Sequence, residues 1–324
     1  MCTAISYKTD NLYFGRTLDH DFSYCEEVCI TPRNYRFSFK HVQPISTHYA
    51  IIGMAYTVNN YPLYYDAVNE KGLCIAGLNF VGNAKYNEKN TIKDNIAVFE
   101  LIPWLLSQCK SVDEVVRLLK KINITDTAFS DALPPASLHW LIADKYRTIT
   151  LEAVKDGLKI YDNPVGVLTN NPPFDMQLFS LNDYRHLSCR ATKNTFGSGL
   201  DLYEYSRGMG AIGLPGDLSS RSRFVRAAFT KVNSVCGLGE SDSVGQFFHI
   251  MDTVAQTRGC CDMGDGNYEV SIYTSCCNAS KGIYYYTTYN NRQITAVSMH
   301  KEDLNGAALI RYPLVKQEQI YHQN

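Results

Sequence analysis

The sequence carries little charge and almost none in excess. Over 324 residues, 31 Lys and Arg stand against 32 Asp and Glu, for a formal net charge of -1 at pH 7. Charged side chains make up 19% of the chain, against about 25% in an average soluble domain. Such a balance attracts neither nucleic acid nor an anionic membrane surface, so neither is expected as a partner. Long apolar runs are also missing: no stretch approaches the roughly 18 residues of a membrane span. Lys8, Asp10 and Asn11 break the N-terminus before the apolar region of a signal peptide could form. A cytoplasmic location is the expectation. There is no internal repeat, no low-complexity segment and no linker rich in Pro, Gly or Ser, so a single domain over 1–324 is expected.

Cysteine is not scarce, but the pattern that would bind metal is absent. Eleven cysteines are an odd number, and no secretory route is visible to oxidise them. Cys25 and Cys29 are four apart, Cys260–Cys261 and Cys276–Cys277 are adjacent pairs, and none has C-x-x-C spacing. Reduced, partly buried cysteines acting as small hydrophobes are expected, with no metal and no cofactor. At 45% hydrophobic, with 23 tyrosines, the chain can bury a sizeable core and favours strands.

Strand and helix signals come in blocks. ISY and LYFGRTL flank the polar turn KTDN, and TITLEAV, GLKIYD, EVSIYTSC and KGIYYYTTYNNRQITAVSM read as strands, the last a hairpin turning at Asn290–Asn291. Ser111 to Glu114 reads as a capping box ahead of the apolar positions Val115, Val116, Leu118 and Leu119. SRSRFVRAAFTKV and SDSVGQFFHIMDTVAQ read as a helical pair. Strands, helices, strands, helices, strands is not the alternation of a doubly wound parallel sheet. The expectation is an α+β fold of two antiparallel sheets with helices packed outside, the N-terminal strand central and rigidly held.

Cysteine at position 2 raises the chemical question. Removal of Met1 would place a thiol and a free α-amine on one residue. An α-amine has a reference pKa of about 7.7–8.0, so a useful fraction is unprotonated near neutrality and can activate the thiol without a histidine. A returning strand would bring Arg16 and Asp19 near this terminus, the arginine favouring thiolate and the carboxylate orienting the amine. Three further stretches are polar out of pattern. NEKGL leads into CIAGLNF, where Gly77 permits a close approach and Asn79 ends the run. VGVLTNNPP ends a strand in two amides: Asn171, before Pro172, is held extended, which leaves Asn170 free to be aimed. GLPGD precedes SSRSR, a helix start with two guanidiniums, Arg221 and Arg223, opposing the macrodipole. Amide donors and an arginine are what acyl transfer by a thiolate requires.

In order and spacing, M-C-T, F-G-R-T-L-D, N-E-K-G-L, A-G-L-N-F, V-L-T-N-N-P-P-F-D, G-L-P-G-D and S-R-F-V-R resemble the choloylglycine hydrolase family along essentially the whole chain. The resemblance implies an N-terminal nucleophile hydrolase with an αββα sandwich, usually a homotetramer, cutting the amide of glycine- or taurine-conjugated bile acids. It implies Cys2 as nucleophile with its own amine as base, and Arg16 and Asp19 in support. It implies an oxyanion hole from the Asn79 backbone N–H and the Asn170 side chain, with Arg223 as electrostatic stabiliser. Leu18, Val58, Tyr65, Phe129, Leu133, Ala136 and Leu138 correspond to the apolar substrate pocket. Penicillin V acylase is the sister activity. Its members commonly carry tyrosine at the position of Asn79, so asparagine leans toward bile salts.

Two other readings stand beside this one. Eight histidines permit a Cys–His protease, yet no protease-type sequence surrounds any cysteine, and His139 in SLHW reads as a satisfied structural histidine. A non-catalytic steroid- or lipid-binding module explains the aromatic composition, but it leaves Cys2, Arg16, Asp19, Asn170 and Arg223 without a purpose.

Overall fold

Residues Cys2–Lys8 (β1) and Leu12–His20 (β2) form the expected N-terminal hairpin, closed by the polar turn at 9–11. The structure, a computed structural model, describes residues Met1–Asn324. Further along lie β3 (Glu27–Thr31), β4 (Ile51–Val58), β5 (Tyr61–Asn69), β6 (Cys74–Asn79) and the short β7 (Asp94–Ala97) and β8 (Ile122–Thr125). Next come β9 (Leu138–Ala143), β10 (Thr148–Val154), β11 (Gly157–Asp162) and β12 (Val167–Leu168). The chain finishes with β13 (Asp262–Gly264), β14 (Asn267–Tyr268), β15 (Val270–Asn278), β16 (Ile283–Thr288), β17 (Asn291–Ser298) and β18 (Ile310–Pro313). The helices are α1 (Leu101–Gln108), α2 (Val112–Leu119), α3 (Phe174–Ser180), α4 (Ser220–Asn233) and α5 (Glu240–Asp252).

Two antiparallel sheets dominate: β12-β1-β2-β15-β16-β17, and β11-β10-β9-β6-β5-β4-β3-β18. Side-chain alternation shows how they stack. On the eight-stranded sheet, Ile52, Met54, Leu141 and Ala143 join the core shared with Ala4, Phe14 and Cys277 of the six-stranded sheet. Their neighbours Ile51, Ala55, Trp140 and Ile142 face the other way, into a second core with Leu101, Leu105 and Leu106 of α1 and Val112 and Val115 of α2. Phe224 and Ala227 of α4 and Phe247 and Ile250 of α5 cover the far side of the six-stranded sheet. The order is helix, sheet, sheet, helix, the expected αββα sandwich. Each fully buried Leu, Ile or Phe contributes about 1.5–3 kcal/mol relative to exposure.

Gly15 is required by the closeness of β2 and β15, since a Cβ there would lie 2.0 Å from the Ser275 carbonyl oxygen. At Gly77 a Cβ would meet the Trp140 and Leu138 side chains at 3.2–3.3 Å.

Three expectations need correction. The N-terminal strand is not central: β1 is next to the edge, and the edge strand β12 pairs only with Ala4 and Ile5. What β12 leaves open is closed by a loop carbonyl, Gly166, accepting from Ser6 N, and by the Asn170 side chain accepting from Cys2 N. The C-terminal hairpin turns at Tyr289–Asn290, because a register shift after Tyr286 pairs Thr288 with Asn291. Ser111 caps α2 by accepting from Glu114 N, but the Glu114 carboxylate takes the Lys110 N–H in place of that of Ser111, so the capping box is only half formed.

Candidate active site

Pairing of β1 with β2 sets Cys2 opposite Leu18, so Arg16 is its diagonal neighbour on the same face. The Arg16 guanidinium is wholly buried and every arm is committed. Nε donates to Thr17 O at 3.0 Å, Nη1 to the carbonyls of Tyr65 and Gly77, and Nη2 to Cys2 Sγ at 2.5 Å. Burial opposes its charge, but attraction to Cys2, Tyr273, Asp66 and Asp19 outweighs this and raises its pKa above the ordinary value. Arg16 is therefore a permanent cation against the sulfur.

Asp19, also buried, accepts from Ser271 Oγ at 2.6 Å and from Thr17 Oγ1 at 3.1 Å. Burial raises its pKa; the charges of Arg223 and the N-terminal amine and these two hydroxyls pull against that rise. Met1 continues β1: its carbonyl accepts from Asp19 N at 2.9 Å, and its amine donates to Asp19 O at 2.7 Å and pairs with Glu269. With Met1 attached, the Cys2 nitrogen is a peptide N–H, and it donates to Asn170 Oδ1 at 2.9 Å.

Asn170 follows β12 and is fixed on all sides. Its N–H donates to Ser220 Oγ, and its carbonyl accepts from Gln177 Nε2. Oδ1 takes both Cys2 N and Arg223 Nη2, the latter at 2.7 Å, while Nδ2 donates to Asn79 O at 2.8 Å. These partners settle the amide's orientation, and the second Nδ2 hydrogen remains uncommitted. Asn171 turns elsewhere, its Nδ2 donating to Val81 O at 2.6 Å.

Asn79 itself is exposed at the end of β6. Phe80 N donates to Ser137 O, so Phe80 faces β9 and Asn79 turns its N–H and C=O to the opposite side. There the β5 ladder has stopped at Asp66–Ala76, leaving room for Asn170. The Asn79 N–H points the same way as the carbonyl that Asn170 holds.

Arg223 lies behind this group. It donates to Cys2 O, Thr3 Oγ1, Asn170 Oδ1 and Leu218 O. Burial lowers its pKa, and the charges of Asp19 and Cys2 resist the fall. The other guanidinium of the helix start, Arg221, is exposed and pairs with Asp183. No group of three or more His, Cys, Asp or Glu is placed to hold a metal ion, and all eleven cysteines are free.

Comparison with known proteins identifies the family. The family model for linear amide C–N hydrolases, choloylglycine hydrolase family, matches residues 2–312. The chain belongs to the choloylglycine hydrolase family. A bile salt hydrolase/transferase of Lactiplantibacillus plantarum is 57% identical over 324 residues, spanning all of both chains. One of Clostridium perfringens is 37% identical over 329 residues, again spanning both. The crystal structure of the C2A mutant of a conjugated bile acid hydrolase from Clostridium perfringens matches with a TM-score of 0.93 at 36% identity, covering 100% of each chain. Penicillin V acylase from Agrobacterium tumefaciens shares the fold at TM-score 0.76 and 19% identity, over 97% of this chain and 92% of that one. The fold is that of the N-terminal nucleophile hydrolases, and the chain is an amide hydrolase of this family.

The apolar positions divide into two groups around the choloylglycine hydrolase site. Leu18 pairs with Cys2, the Tyr65 carbonyl holds Arg16, and Leu138 pairs with Asn79. These three adjoin Cys2, Arg16 and Asn79 respectively. Val58 pairs with Tyr61, whose ring packs on Phe129 at 5.7 Å. Phe129 and Leu133 close a turn on each other, and Ala136 O accepts from Tyr86 Oη. Val58, Phe129 and Leu133 are tied to the hairpin, whereas Tyr86 Oη also accepts the Leu138 N–H at 2.7 Å and so links Ala136 to the first group. A cavity of about 480 Å³, lined by Gln256, Ser271 and Arg292 among others, does not include Cys2.

Residue-by-residue reading missed the supports. Ser271, Tyr273 and Ser275 alternate along β15; the first holds Asp19, and the other two hold the buried carboxylate of Asp66, as does Tyr284. Polar residues at every second position of EVSIYTSC were the available signal.

Proposed function

We propose that the chain hydrolyses the amide of glycine- or taurine-conjugated bile acids through an acyl-enzyme on Cys2, and that residues 1–324 act as one domain. The observation that carries this is the Cys2 thiol against Arg16 at the start of a chain 57% identical to a bile salt hydrolase/transferase. Removal of Met1 frees the Cys2 amine, which takes the thiol proton. The sulfur attacks the amide carbon, and the oxygen gains charge against the Asn79 N–H and the free Nδ2 hydrogen of Asn170. The ammonium then protonates the departing glycine or taurine nitrogen as the C–N bond breaks. Water, deprotonated by the same amine, attacks the thioester, and the thiol leaves with that proton. Asp19 orients the amine. Arg223 holds the Cys2 carbonyl and the Asn170 amide in place, and its charge faces the same cluster. Leu18, Tyr65 and Leu138 meet the steroid nearest the thiol, with Val58, Phe129, Leu133 and Ala136 further out.

The stretch 196–205 exposes Phe196, Leu200, Leu202, Tyr203 and Tyr205, an apolar patch that further copies of the chain would cover in a homotetramer. Eleven free thiols suit a reducing cytoplasm.

The test is release of glycine, taurine and phenoxyacetate from glycocholate, taurocholate and penicillin V, with Cys2→Ala as control. Turnover of the first two that is lost in Cys2→Ala supports the reading. Preference for penicillin V overturns the substrate, and turnover by Cys2→Ala overturns the nucleophile.

A further inference from the structure

His139 and Glu152 are cross-strand partners on β9 and β10, both 0% exposed, and no step above uses them. His139 Nε2 lies 2.8 Å from the Thr169 carbonyl oxygen, which can only accept, so Nε2 carries a proton. Nδ1 lies 3.1 Å from Glu152 Oε1, which also receives the Phe174 N–H at 2.9 Å. Two facing lone pairs would repel, so a proton bridges Nδ1 and Oε1. A buried histidine satisfied in this way needs no function. Its remaining contacts give it one.

The Phe80 ring stacks on the imidazole at 4.2 Å between centroids and 8° between planes. Phe80 is the residue after Asn79, and Thr169 is the residue before Asn170. One imidazole thus touches the immediate neighbours of both amide donors, which lie 91 residues apart, Asn79 at the end of β6 and Asn170 just beyond β12. Glu152 extends the hold: through Phe174 N it fixes the start of α3, whose Gln177 donates to Asn170 O and accepts from Thr169 Oγ1 at 2.7 Å.

We propose that His139, braced by Glu152, is a positioning residue that sets the spacing between the Asn79 N–H and the Asn170 amide. This rests on the oxyanion role given to those two groups above. The imidazole makes no hydrogen bond to Cys2 or Arg16, so its loss spoils the cradle for the developing oxyanion and leaves the nucleophile as it was. A displacement of about 1 Å at such donors is worth up to roughly a hundredfold in rate.

Two variants avoid stranding a buried charge. His139→Phe with Glu152→Gln keeps the stack on Phe80 and removes the hydrogen bond to Thr169. Phe80→Leu removes the stack and keeps the hydrogen bond. Expected on glycocholate is a kcat lowered about 10- to 100-fold in each, a KM within about twofold, and an unchanged rate of Cys2 alkylation by iodoacetamide. Unchanged kcat in either folded variant overturns the proposal, as does an alkylation rate that falls in step with kcat. Asn170→Ala is measured alongside. If it retains turnover the oxyanion reading itself fails; if it is impaired while both variants are not, only the positioning role fails. Should the double variant not fold, Phe80→Leu decides alone.

Discussion

The sulfur of Cys2 and Nη2 of Arg16 lie 2.5 Å apart, both closed off from solvent. Arg16 reaches the sulfur only because its other arms are anchored on Thr17, Tyr65 and Gly77. A lysine brings the same charge but not the planar fork that spans these partners. Arg16→Lys is expected to slow alkylation of Cys2 at pH 7 by roughly 10- to 150-fold, the equivalent of one charge-assisted hydrogen bond. The measurement is the iodoacetamide rate against pH. A profile identical to that of the parent chain would remove Arg16 from any role in thiol activation.

Met1 is the next test. In the unprocessed chain its carbonyl and amine are engaged by Asp19, its amine also meets Glu269, and the Cys2 nitrogen is an amide without basicity. A chain with an aminopeptidase-resistant residue inserted between Met1 and Cys2 is expected to be folded and inactive. Mass spectrometry establishes the state of the terminus, and the glycocholate assay reads the outcome. Full turnover by a chain of confirmed blocked mass refutes the amine as base.

Stability at high pH follows from what the cores contain. Burial pushes the thiols of Cys29 and Cys109 from 9.0 up to about 12, and the Tyr35 phenol from 10.0 up to about 12. Burial also holds Cys74, Cys276, Cys277, Tyr273 and Tyr284 well above their ordinary values. Between about pH 9 and 12 the unfolded chain has released protons that the folded chain retains. Fewer protons on the unfolded side means that stability falls as pH rises. Lys231, lowered by burial from 10.5 to about 8, works in the opposite sense between those two values, but it is a single group. Urea midpoints are expected to hold up to pH 8 and to drop progressively above 9. A midpoint that rises from pH 9 to 11 contradicts this.

Local chemistry made half of this protein legible. The β1–β2 hairpin, α4 and α5 follow from strand propensity around KTDN and from helical spacing, and the hairpin alone carries Cys2, Arg16 and Asp19 together. The turn at Tyr289–Asn290 escaped because a register irregularity after Tyr286 shifts the pairing by one residue, and no residue type announces it. β12 was legible in VGVLTNNPP as a strand ending in two amides, though only Val167 and Leu168 of that stretch pair. That short edge nevertheless puts Asn170 beside Cys2. The supports were least legible: Ser271 meets Asp19 across 252 residues of chain, and His139 meets Thr169 across 30, by sheet order alone. For Asn79 and Asn170 the residues were visible, whereas their mutual hydrogen bond was not.

Asn170 allows the sharpest separation of chemistry from structure, because its neighbour is a matched control. The Asn170 amide is held by Cys2 N, Arg223 and Asn79 O, with one N–H to spare; the Asn171 amide donates to Val81 O outside the cluster. If the spare N–H meets the tetrahedral oxyanion, Asn170→Ala costs roughly 3–4 kcal/mol of transition-state stabilisation, about a hundred- to a thousandfold in kcat. KM changes much less, since the charge it stabilises exists only after attack. Asn171→Ala loses an exposed hydrogen bond, worth at most about 0.5–1.5 kcal/mol of stability, and retains its turnover. Both variants are assayed on a glycine-conjugated bile salt beside their melting curves. A larger loss of kcat in Asn171→Ala than in Asn170→Ala would transfer the oxyanion role to the other amide, and with it the reason for every contact that fixes Asn170.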